Sequence, residues 1–198
     1  GDDNTGVGYK ALYVNTSGAS NTALGKDALL ASTTGSYNTA LGVFAMEANT
    51  TASENLAVGY SALGLNTTGT YNTAVGKSAL SANTTASNNT AVGKDALLAN
   101  TTGTRNVGVG ASALDANTTG GYNVSVGAYS LSANTTASYN TAVGDQVLYS
   151  TTTGASNTGL GYNAMNANTT GTRNVAVGSY ALDANTTAND NTIVVYNA

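Results

Sequence analysis

Apolar residues return along this chain at a fixed spacing. Val or Leu stands at 7, 24, 41, 58, 75, 92, 109, 126, 143, 160, 177 and 194, and Leu or Met follows five residues later, from Leu12 to Leu182. An Asn precedes each Val or Leu by three residues, from Asn4 through Asn191, so the period is 17. Eleven full repeats run over residues 4–190, with partial repeats at 1–3 and 191–198. The whole chain, 1–198, reads as one tandem-repeat domain. Its typical unit is N-T-A-V-G-x-x-A-L-x-A-N-T-T-G-x-x, numbered below from the recurrent Asn as position one.

Within one chain the repeats show what each position tolerates. Position five is Gly in every full repeat, from Gly8 to Gly178, as a backbone with positive φ or a very close neighbour would require. Position three is Ala, Gly or Ser until Ile193, and position thirteen is always Thr. Charged and aromatic residues fall only at positions six, seven, ten, sixteen and seventeen, which marks these as the outside.

A helical reading is suggested by segments such as residues 25–31, but they are short and lie between Gly and Asn-Thr-Thr. Helix-pair solenoids also need longer repeats, of roughly 33 to 47 residues. The strand reading is stronger. Each unit holds two short strands, Asn-Thr-Ala-Val-Gly and Ala-Leu-x-Ala, and forms one coil of an all-β, parallel β-solenoid (β-roll). Coils stacked about 4.8 Å apart make a rod of roughly 50 Å.

Alternation then assigns the faces. On the second strand, positions eight and ten are expected to face solvent and nine and eleven to face inward, since ten accepts Glu47, Asp115 and Asp183. On the first strand, positions two and four point one way and one, three and five the other, and neither set ever carries a charge. A strand uncharged on both faces implies the coil wall on one side and a cover on the other. The simplest cover is another copy of the chain, in a trimer or a fibre. The Asn at position one and the Thr at position thirteen are expected to form ladders between coils.

Composition narrows the chemistry. Charged residues are 8%, the net charge is −4, and the chain has no Cys, His, Trp or Pro. Without His or Cys there is no Ser-His-Asp or Cys-His nucleophile and no imidazole or thiolate metal site. No catalytic, metal or cofactor-binding residue is expected, and no cofactor. Six basic residues argue against a nucleic-acid surface. No apolar run is long enough for membrane insertion. Of the paired carboxylates a glycosidase would need, Asp27 and Asp95 sit four coils apart, as do Asp115 and Asp183, roughly 19 Å by strand spacing. An enzyme is not expected.

The phrases Asn-Thr-Ala-Val-Gly at 72–76 and 89–93, followed by Ala-Leu and Asn-Thr-Thr, resemble the YadA-like head repeats of trimeric autotransporter adhesins. They are equally similar to the tandem repeats of phage tail-fibre proteins. The resemblance covers essentially the whole chain. It implies a left-handed β-roll wound as a trimer that binds cell surfaces or matrix.

Two sets of residues are candidate sites. Asn-x-Thr/Ser sequons place possible N-glycosylation at Asn15, Asn49, Asn66, Asn83, Asn100, Asn117, Asn134, Asn168 and Asn185, all at position twelve, with two more at Asn88 and Asn123. The competing reading of position twelve is a turn residue ahead of the Thr ladder, because Ser32 and Thr151 replace it while the Thr persists. Tyr37, Tyr71, Tyr122 and Tyr139 share position seventeen, where their rings would offer a surface contact for sugars or an adhesive stripe. A flat ice-binding Thr array is disfavoured because the two Thr positions are adjacent. Gly6-Val7-Gly8 copies a fragment of a nucleotide loop only because it is positions three to five.

The chain starts in mid-repeat and ends in register, as a segment of a longer repeat protein or a chain whose ends mate would. The function expected is a structural subunit of an extracellular or surface-exposed fibre, its partners copies of itself, laterally or end to end. The alternative is an adhesin or tail-fibre shaft with glycan or cell-surface ligands.

Overall fold

In the computed structural model, which describes residues 1–196, the repeat folds as a parallel β-solenoid. The last two positions of the partial repeat 191–198 lie outside the described residues. Each coil contributes one strand of three residues, positions two to four: β1 Thr5–Val7, β2 Thr22–Leu24, β3 Thr39–Leu41, β4 Leu56–Val58, β5 Thr73–Val75, β6 Thr90–Val92, β7 Val107–Val109, β8 Val124–Val126, β9 Thr141–Val143, β10 Thr158–Leu160, β11 Val175–Val177 and β12 Thr192–Val194. They form a single twelve-stranded sheet in sequence order. Every residue pairs with the one 17 later, as in Thr73↔Thr90, Ala74↔Ala91 and Val75↔Val92.

The expected second strand is not a strand. Positions seven and nine hold a left-handed backbone, as at Asp95 (φ 58) and Leu97 (φ 52), and so does position seventeen, as at Tyr71 (φ 59). Such a conformation costs roughly 1–2 kcal/mol in a non-glycine residue. Stacking offsets that cost by giving such N–H groups a carbonyl on a neighbouring coil. Asp95 donates to Lys77 and Leu97 to Ala113, and at position seventeen Tyr37 donates to Ala19. The segment is therefore a turn that is hydrogen-bonded between coils like a strand.

That turn also corrects the assignment of faces. Left-handed residues at seven and nine break the alternation, and positions eight and nine both point inward: Ala79 with Leu80 and Ala96 with Leu97 are fully buried. Position eight does not face solvent. Position ten does, and the Ala at position eleven is half-buried. With the position-three Ala, positions eight and nine form one continuous core along the rod.

Gly at position five is explained by φ values of 121–141° and by crowding. A Cβ on Gly76 would lie 2.4 Å from the carbonyl oxygen of Gly93. At position fifteen a Cβ on Gly69 would meet Ala86 O at 2.2 Å, yet Ala52, Ala86, Ala137 and Ala188 occupy that position. Crowding alone is thus relieved by small shifts. Positive φ together with crowding admits only Gly.

Candidate interaction surface

Two asparagine ladders close the polar end of the core. At position one, Asn72 donates its backbone N–H to Asn55 Oδ1 (2.9 Å) and its Nδ2 to Ala86 O (2.8 Å), while its own Oδ1 accepts from Asn89 N (3.0 Å). This ladder was legible in the sequence. The second, at position twelve, was not: Asn83 Nδ2 donates to Asn66 Oδ1 (2.8 Å) and to Ala86 O (3.0 Å). The position-thirteen Thr hydroxyl does not bond to its copy but to the backbone, as from Thr67 Oγ1 to Thr84 O (3.0 Å).

The sequon asparagines of position twelve are these ladder residues. Asn49, Asn66, Asn83, Asn100, Asn117, Asn134 and Asn168 are fully buried, and only Asn15 and Asn185, in end coils, are half-buried. A glycan on a buried Nδ2 would displace two hydrogen bonds and has no space between stacked coils. Asn123 is buried too, whereas Asn88, at position seventeen, is exposed. The signal for this in the sequence was the replacement of Asn by Ser32 and Thr151, residues that keep an oxygen in the ladder. Asn168 Nδ2 donates to Thr151 Oγ1 (3.3 Å).

The residues at positions two and four face outward along the whole sheet. Leu24, Leu160 and Val194 are 49%, 46% and 65% exposed, and no charged side chain interrupts this face from β1 to β12. The cover expected from the sequence therefore does not come from the coil itself. Position seventeen borders this open face on one side and positions six and seven border it on the other, because they immediately precede and follow the strand.

The four tyrosines stand on the first border. Tyr37, Tyr71, Tyr122 and Tyr139 are all exposed, and Tyr122 stacks on Tyr139 with ring centroids 5.1 Å apart. Arg105 lies 5.3 Å above the Tyr122 ring. Tyr37 and Glu54 line a shallow groove of about 670 Å³ with Thr39, Asn55, Leu56 and Thr73. Glu54 and Leu56 were not singled out as site residues by the sequence reading. The available signal was their singularity, since no other repeat has Glu at position seventeen or Leu at position two.

On the second border a cation and two aromatic rings meet at one stretch. Lys26 lies 5.2 Å from the Phe44 ring, and Phe44 meets Tyr60 edge-on at 5.7 Å. A smaller polar hollow is lined by Gln146, Asn163, Asn166, Tyr180 and Asp183. Among the described residues no group of three His, Cys, Asp or Glu is placed to hold a metal, and no helix is long and apolar enough to cross a membrane.

Resolved ionisation shifts belong to exposed pairs. A hydrogen bond from Arg173 holds the Asp190 carboxyl below its ordinary value, and Asp190 raises Arg173 in turn. Asp95 raises Lys94 by the same means. Compared with models of protein families, with curated proteins and with solved structures, the chain matches none.

Proposed function

We propose that this chain is a non-catalytic structural subunit of an extracellular or surface-exposed fibre, which associates laterally with copies of itself. The observation that carries the reading is the open face: Thr, Val and Leu, partly exposed and free of charge on every strand from β1 to β12. An apolar stripe of this length, rimmed by polar residues, marks an association surface rather than ordinary solvent-facing sheet. Parallel ladders of identical residues give the rod an axial repeat of about 4.8 Å, suited to bearing load rather than to holding a substrate. Inward-facing position-twelve asparagines make the fibre one of bare coils, not one coated with glycans along that edge.

The test is electron microscopy of the native assembly. Continuous filaments with an axial repeat near 4.8 Å are expected, and discrete short particles count against the fibre. A second reading, an adhesin or tail-fibre shaft, is favoured by the exposed Arg105–Tyr122–Tyr139 row, a solvent-facing aromatic surface suited to contact with sugars. It requires binding to a defined glycan or matrix surface that is lost when Tyr122 and Tyr139 become Ala.

A further inference from the structure

We propose that two copies of this chain pack antiparallel, open face on open face, in the register that sets Glu54 of one copy opposite Arg105 of the other. This rests on the reading that copies of the chain cover the open face, and adds direction and register to it.

The borders of the face decide the direction. A closed parallel pair, which admits no stagger, brings the position-seventeen row against positions six and seven at the same height. An antiparallel pair, related by a two-fold along the strand direction and perpendicular to the rod, brings each border onto its own copy. In the parallel pair Glu54 would meet Tyr60 and Ser61, and Arg105 would meet Ala111 and Ser112. At that height neither charge finds an opposite, Lys77 and Asp95 lying one coil away.

Within one copy both charges lack an ionic partner. Glu54 has no cation and Arg105 no carboxylate within ion-pair distance among the described residues, and Arg105 rests on Tyr122 instead. In chain order the row reads Tyr37, Glu54, Tyr71, Asn88, Arg105, Tyr122. Turned end for end about a point between Tyr71 and Asn88, it sets Glu54 against the partner's Arg105 twice, and Tyr37 against the partner's Tyr122. The groove beside Tyr37 and Glu54, floored by Leu56, then receives a guanidinium. A carboxylate beside an aromatic ring is the environment such a group favours.

The same register extends over the rest of the face. It sets Leu56, the single Leu at position two, against the partner's Val107. At the other border it sets Lys26 opposite the partner's Asp145 and Phe44 opposite the partner's Tyr129, and it brings Lys77 opposite the partner's Lys94, a like-charge contact offset by Asp95, which lies 2.9 Å from Lys94 Nζ. Because both copies have one coil spacing, a match made at one coil persists at the next. About ten overlapping coils, with a face roughly 15 Å wide, cover roughly 700 Å² per copy, close to the ~800 Å² per partner of a stable interface.

Charge reversal and crosslinking test this together. Glu54→Arg and Arg105→Glu, each alone, should raise the dissociation constant of the pair about tenfold or more in low-salt sedimentation equilibrium, and the double variant should return it to that of the original protein. Unchanged single variants, or a double variant as weak as either single one, would overturn the register. Because the chain has no Cys, crosslinks are unambiguous. Leu56→Cys protein mixed with Val107→Cys protein should form a disulfide-linked heterodimer under mild oxidation, and Leu56→Cys alone should not. A disulfide between Leu56→Cys and Val58→Cys proteins instead means parallel copies at the same height, where position two faces position four, and overturns the antiparallel pair while leaving the face covered by copies. A chain that stays monomeric at every concentration overturns both.

Discussion

Asn at position twelve shows how one side chain serves every coil, and where the series breaks. The two buried side-chain oxygens without a hydrogen-bond partner are Asn15 Oδ1 and Asn134 Oδ1. They are the residues whose next coil carries Ser32 and Thr151 in place of Asn. Ser32→Asn and Thr151→Asn should complete the ladder and stabilise the fold by about 1 kcal/mol each, as read from urea unfolding. Asn72→Leu should do the reverse. It keeps the volume but leaves the Asn89 N–H without a partner and the Ala86 carbonyl with Asn83 Nδ2 as its remaining side-chain donor, at about 1–3 kcal/mol for the orphaned N–H. A matching Thr85→Ala, at an exposed position, should leave the transition unmoved. Burial also decides modification: secreted from a glycosylating host, the folded chain should carry a glycan at Asn88 and none at Asn66 or Asn83. Peptide mass spectrometry that found sugar on Asn66 would contradict the ladder.

At the scale of the coil, the period, the first strand and the core Leu were all legible, because a 17-residue spacing leaves little choice of architecture. The second strand was misread for a physical reason. Nothing in Ala-Leu-x-Ala announces a left-handed Leu, and a single coil would not adopt one. Leu97 holds φ 52° only because its N–H reaches Ala113 O on the next coil (2.9 Å). Local propensity was overridden by a hydrogen bond to a residue 16 positions away. Since each coil bonds only to its neighbours, removing residues 72–88 should yield a shorter, cooperatively folded solenoid. Removing one residue fewer, 72–87, puts the single junction at the cut out of register and should split the thermal transition into those of two shorter solenoids, as followed by circular dichroism.

Across the whole rod, stability is a sum of coil-to-coil interfaces, so the ends lack half of theirs. β1 is exposed at all three residues and β12 is nearly so, while the middle strands bury their central residue. Amide exchange should therefore be fastest at the two ends and slowest near β5 and β6. The C-terminal end carries one further tie, the Arg173–Asp190 pair at 2.6 Å. Because the Asp190 pKa is depressed on folding, that tie is intact above the ordinary carboxylate value of about 4 and is lost as pH falls through the lower folded value. Exchange at β11 should then rise on acidification more than at β2, whose ion pair, Lys26–Asp27, lies within one coil and ties it to no neighbour. Equal changes at the two ends would assign the tie no role.

By itself the sequence determined the coil, its length, its stacking direction and its position-one ladder, because a repeat that reserves every inward place for Asn, Ala, Leu and Gly has one economical way to stack. It also marked the uncharged strand face as needing a cover. Only the tertiary structure decided which way position eight and the sequon asparagines turn, because left-handed turns between coils carry no signature in residue type. Only it showed that the coil leaves positions two and four open, with Glu54 and Arg105 unpaired beside them. Those facts depend on what lies one coil away in space, and no spacing along the chain encodes them.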